Sequence, residues 1–168
     1  MARERTLLVM RHAQAGGQPG VSDVQRPLTG GGQADAASAG RWLLSEGLIP
    51  GQVLCSTARR ARQTWQQVSA ALGAMAGQAR VSFERRVYQA GAEDLLDLVR
   101  GCPGEVSVLL LVGHNPAVHR LASGLTERHD LGFPAGALAV VGLAGSWAGA
   151  APGAGTLVKF WRPPGPVS

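Results

Sequence analysis

The residues best equipped for chemistry stand together early in the chain. The apolar run Leu7-Leu8-Val9-Met10 stops abruptly at Arg11 and His12. A neutral imidazole is a nucleophile, and a guanidinium presents a fork of donors matched to phosphoryl oxygens. The pair therefore reads as His12 attacking phosphorus while Arg11 holds the oxygens. Two later stretches repeat the pattern. Gln52-Val53-Leu54-Cys55 runs into Ser56, with Arg59, Arg60 and Arg62 close behind. Val106-Ser107-Val108-Leu109-Leu110-Leu111-Val112 runs into Gly113 and His114. A tetrahedral dianion walled by cations and donors, with one nucleophile in line, is a phosphoryl-transfer site. These three run ends supply the parts if the fold brings them together.

Short apolar runs without gaps read as strands buried on both faces, which implies a parallel sheet covered by helices on each side. Such sheets place ligands at the carboxyl ends of their strands. The expected fold class is α/β, a three-layer sandwich with a mostly parallel central sheet flanked by helices, in a single domain over residues 1–168. Thr29 is expected to cap a helix with Ala34, Ala37, Trp42 and Leu44 inward and Gly47 as its stop. Ala61, Thr64, Trp65, Val68, Ala71 and Leu72 share one face of a second helix, ended by Gly73, with loop from Gly73 to Gln78. Arg80-Val81-Ser82-Phe83 reads as a strand. A helix after Gly91 buries Leu95, Leu96 and Val99. Asn115 is expected to cap a further helix with Pro116 at its first position and Val118, Leu121, Ala122 and Leu125 inward. Leu138 to Leu143 and Thr156 to Trp161 read as strands joined by a loose Ala144–Gly155 segment, and Arg162 to Pro166 as a frayed tail.

The chain has 168 residues, a formal net charge of +5 and 45% hydrophobic residues, so a packed core is expected. The charge suits an anionic substrate. Fifteen of the sixteen basic residues are arginine. They are scattered, without aromatic residues between them, which argues against nucleic acid as a partner. No run approaches the roughly 18 apolar residues of a membrane span. The opening Met1-Ala2-Arg3-Glu4-Arg5 lacks the apolar region of a signal peptide. Cys55 and Cys102 fit no metal or redox spacing, and free thiols point to a cytoplasmic protein. A cysteine phosphatase needs arginine after a five-residue gap from its cysteine, and that place beyond Cys55 holds Ala61. The four histidines lack zinc spacing, so no metal is expected.

Three motifs carry a resemblance. Arg11-His12-Ala13 resembles the Arg-His-Gly motif of the histidine phosphatase superfamily, which includes the phosphoglycerate mutases. Ser56-x-x-x-Arg60-Ala61-x-Gln63-Thr64 is similar to its second motif, and Gly113-His114-Asn115-Pro116 to its third. Arg26-Pro27-Leu28-Thr29 and the small size resemble the short SixA-type phosphohistidine phosphatases. The resemblance spans Leu7 to Leu143. It implies a phosphoglycerate mutase-like fold and a phosphatase in which His12 becomes phosphohistidine. Arg11, Arg60 and His114 would bind the phosphoryl oxygens, water would release phosphate, and neither metal nor cofactor is required. Ser56, Arg26 and Gln14 are further substrate-binding candidates. Ala13 departs from the family's glycine by one methyl.

Several alternatives stay open. Arg59 stands beside Arg60 as a phosphate ligand. Ser56 also suits a helix cap, and Arg26 a surface pair with Asp23. Larger members of the family carry a carboxylic general acid, yet the best alignment here puts Arg86 at its place, with Glu84 and Glu93 nearby. General-acid help is worth roughly 100- to 10,000-fold for an alkoxide leaving group. An imidazole can leave with its own proton, so a missing acid favours phosphohistidine. The short connection from Arg62 to Val106 leaves little chain for a lid, which suits a phosphorylated protein over a small phosphorylated metabolite. A mutase and a catalytically silent phosphate-binding module are the competing functions. A monomer or weak dimer is expected.

Overall fold

A computed structural model describes residues 4–89 and 91–165. The central sheet has six strands: β1 (Arg5–Arg11), β2 (Gln52–Ser56), β3 (Arg80–Glu84), β4 (Val108–Gly113), β5 (Leu138–Leu143) and β6 (Gly155–Trp161). Their order is β3-β2-β4-β1-β5-β6. Strands β1 to β4 pair in parallel, and β5 lies antiparallel to both β1 and β6. Successive side chains of a strand point to opposite faces. Accordingly Leu8 and Met10 pack against α1 (Gly30–Ser45) and α2 (Arg59–Leu72). Leu7 and Val9 pack on the other side, with α3 (Arg85–Gln89), α4 (Ala92–Arg100) and α5 (Ala117–Thr126). The result is the expected three-layer α/β sandwich.

Helix α1 starts where its cap predicts, with Thr29 Oγ1 accepting from Gly32 N at 3.0 Å. It ends before Gly47, whose φ of +69° suits glycine. Its inner face differs from the expected one. Gly32, Ala36, Ala39, Gly40 and Leu43 are buried, while Ala34 and Leu44 are exposed and Ala37 and Trp42 only half-buried. Close approach to α2 sets this phase. A Cβ on Gly40 would sit 2.7 Å from both Ala71 Cβ and the Val68 carbonyl oxygen. Helix propensity alone favours alanine there by about 1 kcal/mol. The packing clash reverses the sign, and Gly40→Ala is expected to destabilise by about 1–3 kcal/mol, read as a drop in thermal midpoint of several degrees.

Other corrections follow from local packing. The segment Gly73–Gln78 is a 3-10 helix rather than loop. The Ala144–Gly155 connection is anchored by a 3-10 turn at Trp147–Gly149, where Trp147 is buried and donates through Nε1 to Val106 O at 2.8 Å. Leu96 is half-buried rather than buried. Pro116 is itself the N-cap of α5 behind a cis Asn115–Pro116 bond, and Asn115 Nδ2 instead donates to Phe133 O at 2.8 Å. Pro163 packs over Gly136, so the tail is held at that point. The expected signal-free start at Met1, Ala2 and Arg3, and the end of the tail at Pro166, lie outside the described residues.

Candidate active site

Strands β2, β4 and β1 are parallel neighbours, so their carboxyl ends open on one crevice. His12 follows β1 and is fixed by its N–H donating to Gly113 O at 3.0 Å. Gly113 is required here, because a Cβ would sit 2.8 Å from Val118 Cγ1. His114 follows directly, and the two imidazole centroids are 5.0 Å apart. Between them lies Arg60, at the buried start of α2 and only 7% exposed. Its Nε donates to His12 Nε2 at 3.3 Å, and its Nη2 stands 3.4 Å from His114 Nδ1. Three residues far apart in the chain therefore meet around one guanidinium.

Hydrogen bonding defines which nitrogen of His12 carries the proton. His12 Nδ1 lies 2.7 Å from Ala13 O, and a carbonyl can only accept. Nδ1 therefore carries the proton, and Nε2 keeps the lone pair that accepts from Arg60 Nε. His114 Nε2 lies 2.7 Å from Ser56 Oγ, which also accepts from Ala58 N at 3.1 Å. Ser56 thus both orients His114 and caps the turn. Thr64 Oγ1 accepts from Ala13 N at 3.0 Å and donates to Arg60 O at 2.8 Å, which ties the loop bearing the nucleophile candidate to α2. Gln63 Oε1 accepts from Leu28 N at 2.7 Å. The methyl of Ala13 is accommodated, since it is fully buried against Leu28 and Ala36.

Burial first, and then repulsion from Arg60, Arg11 and Arg26, push the His12 imidazole down to about 4, against a raising bond to Ala13 O. Burial, then His12 and Arg60, push His114 down to about 3. Both rings are therefore neutral at pH 7, as a nucleophile requires. An NMR titration is expected to show His12 neutral until about pH 4. These shifts also set a stability trend. An unfolded histidine takes up its proton near pH 6.5, well above the folded value. The unfolded chain therefore binds more protons in that window, and stability falls as pH drops from about 6.5 towards 4. Denaturant melts at pH 7 and pH 4.5 check this direction.

Arg11 reaches the same place from β1. Its Nη1 donates to Phe133 O at 3.1 Å, while its Nε is buried without a partner. Arg26 Nε donates to Gly16 O at 3.0 Å and Nη1 to Asp23 Oδ1 at 3.2 Å, so it is both near His12 and paired with Asp23. The Gln14 side chain is exposed, with Oε1 accepting from Thr29 Oγ1 at 3.1 Å. Arg59 and Arg62 are exposed, and the Arg62 guanidinium lies over the Phe83 ring. Glu84 accepts from Ser82 Oγ at 2.6 Å. Glu93 lies in a separate depression with Leu96 and Arg120. Neither carboxylate meets the imidazoles.

Asp23 and Tyr88 are the site residues that sequence reasoning missed. Arg60 Nη1 donates to Asp23 O at 2.7 Å and Nη2 to Asp23 Oδ2 at 3.0 Å. Tyr88 donates its hydroxyl to the same Oδ2 at 2.7 Å, and its ring packs edge-on to His114. Asp23 thus closes one side of the site. The Tyr88 bond first, then those from Arg60 and Arg26, hold its carboxyl down to about 2. Asp23 is visible in sequence only as a neighbour of Arg26. Tyr88 is the chain's single tyrosine, on a short helix with no sequence signal. Among the described residues no group of three or more His, Cys, Asp or Glu is placed to hold a metal ion. Nor is any helix among them long and apolar enough to cross a membrane.

The fold is shared with known proteins. A family model described as the histidine phosphatase superfamily (branch 1) matches residues 7–87. An uncharacterized protein of Mycobacterium tuberculosis is 34% identical over 164 residues, covering 92% of this chain and 99% of that one. A structure assigned as the phosphohistidine phosphatase SixA of Nakamurella multipartitia superposes with a TM-score of 0.84 at 32% identity, over 96% of this chain and 98% of that one. The protein histidine phosphatase SixA complexed with tungstate gives a TM-score of 0.75 at 25% identity, over 94% and 97%.

Proposed function

The chain belongs to the histidine phosphatase superfamily and is of the SixA type, and from that premise we propose that it hydrolyses phosphohistidine on a protein through a covalent intermediate on His12. The observation that carries the reading is the Arg60 guanidinium set between His12 Nε2 and His114 Nδ1. A phosphoryl group bound there would draw the Arg60 Nε donor off the His12 lone pair and onto its own oxygens, beside donors from Arg11, and leave His12 Nε2 facing phosphorus. These cations stabilise the charge spread over the equatorial oxygens. The arriving dianion favours the charged imidazole, so His114 can take a proton on Nδ1 and donate it to a phosphoryl oxygen. The His12 Nε2–phosphorus bond forms as the bond to the leaving group breaks. Water then attacks phosphorus, restoring free His12 and releasing phosphate.

Leaving-group chemistry supports the substrate assignment. The carboxylate nearest the imidazoles, Asp23, is held ionised by Tyr88, Arg60 and Arg26, with its pKa near 2, so it has no proton to lend at neutral pH. A sugar alkoxide needs such a proton. A phosphohistidine protonated on its second ring nitrogen leaves as neutral imidazole, so no proton has to be delivered to the breaking bond. The test is turnover of a phosphohistidine peptide against a panel of sugar phosphates, with His12→Ala as control. Preferential hydrolysis of the peptide is expected. Turnover of the sugar phosphates alone would show that an acid has been overlooked.

A further inference from the structure

The rim of the site carries charge that the chemistry of the imidazole pair leaves unused. Beside Asp23 and Tyr88 lies an open cleft of about 460 Å³ that also includes Thr57, Val24 and Arg85. A second depression of about 270 Å³ shares Val24 and Thr57 with it and is lined by Arg59, Arg62 and Gln66 on α2. A third, of about 250 Å³, shares Arg85 and Gln89 and adds Arg86 and Asp94. Each outer depression shares wall residues with the central cleft, Val24 and Thr57 for one and Arg85 and Gln89 for the other, so a groove across the three would have the Asp23–Tyr88 pair near its middle, with Arg59 and Arg62 towards one end and Arg85 and Arg86 towards the other. None of Arg59, Arg85 and Arg86 makes an ion pair or side-chain hydrogen bond among the described residues, and Arg62 lies only against the Phe83 ring. The carboxylates in the groove are already engaged. Asp23 is bound by Arg60, Arg26 and Tyr88, and Asp94 accepts from Gly91 N.

We infer that this groove binds an extended, acidic segment of the substrate polypeptide on both sides of its phosphohistidine. The inference rests on the protein-substrate reading above and names what that substrate must look like. Three adjoining open depressions suit a chain that runs across them better than a compact metabolite enclosed in one. Four arginines without carboxylate partners favour carboxylates, and the charge raises the rate of encounter as well as the affinity. Nucleic acid fits less well, because base recognition along a single strand needs exposed aromatic faces. The Tyr88 ring is packed on His114, which leaves Phe83, 48% exposed and with the Arg62 guanidinium over one face, as a lone ring rather than a stacking track. Arg59 and Arg62 lie one and two residues from Arg60 on α2, turned out to the surface where the flanks of a bound substrate chain would pass.

The experiment compares kcat/KM for two phosphohistidine peptides that differ only in flanking residues, Asp and Glu in one and Asn and Gln in the other. The native protein is expected to prefer the acidic peptide by about tenfold at low ionic strength, with the preference shrinking as salt is added. In the variant Arg62→Glu/Arg86→Glu the ratio should fall to one or below, and in the milder Arg62→Gln/Arg86→Gln to an intermediate value. Equal kcat/KM for both peptides in the native protein, or a preference that survives both variants, overturns the inference and leaves the phosphohistidine reading intact. Turnover of sugar phosphates with neither peptide hydrolysed overturns that reading instead. The groove is then decided by titrating the native protein with the unphosphorylated fluorescent peptides. Tighter binding of the acidic one, lost in the charge-reversed variant, sustains it, and equal binding sinks it. Tighter binding of a single-stranded oligonucleotide than of the acidic peptide, lost in the same variant, would also overturn it.

Discussion

Replacing His12 by alanine is expected to lower turnover by at least about 10,000-fold, because a nucleophile cannot be partly replaced by the binding groups around it. The native protein incubated with a labelled phosphoryl donor should carry acid-labile label on one histidine, and the variant should carry none. Loss of structure would not account for the result. His12 lies just beyond the end of β1, and the buried sheet contacts of Leu7 to Met10 do not involve its ring. Circular dichroism and a thermal melt of the variant verify this. Label retained by His12→Ala would move the nucleophile elsewhere, with the His114 imidazole 5.0 Å away as the next group to test.

Arg60→Ala is the second large effect. Loss of about 100- to 1,000-fold in kcat/KM is expected, the usual magnitude for a preorganised donor on a developing charge. Arg60→Lys should recover little of it. A lysine carries the charge but not the fork that reaches the Asp23 backbone, the Asp23 carboxylate and His12 Nε2 at once. The same substitution has a readout independent of turnover. Arg60 is among the groups that hold His12 below its ordinary pKa, so its removal should raise the His12 value from about 4 towards 6.5. An imidazole titration that does not move, with kcat/KM also unchanged, would remove Arg60 from the centre of the site.

Between them the two variants separate the roles that the geometry suggests. His12→Ala removes bond formation, and no second nucleophile is expected to take over. Arg60→Ala leaves the nucleophile in place but weakens both phosphoryl stabilisation and the electrostatic pressure that keeps the ring neutral. Thr64 couples the two, through Ala13 N on one side and Arg60 O on the other. Their effects are therefore not expected to add.

Much of this arrangement was legible in the chain itself. An apolar run of three to five residues that stops short of polar or charged groups is a local pattern, and it located β1, β2 and β4 and the polar residues at their carboxyl ends. The preference for Arg60 over Arg59 also had a local signal. Arg60, Thr64 and Val68 lie four residues apart on one helix face, and all three are buried, whereas Arg59 is turned out by one helical step and is exposed. What the chain alone left undecided depends on neighbours distant in sequence. The inner face of α1 follows the close approach of Gly40 to α2, which composition does not encode. Asp23 and Tyr88, separated by 65 residues, become a pair because the loop after β1 and the short helix after β3 end beside the same guanidinium. Sequence determined the strands and the reactive groups at their ends, because strand patterning and side-chain chemistry are local. Only tertiary structure decided which imidazole nitrogen faces Arg60, which carboxylate guards that arginine and which arginines are left for a partner, because each follows from contacts between elements that meet only once the sheet has formed.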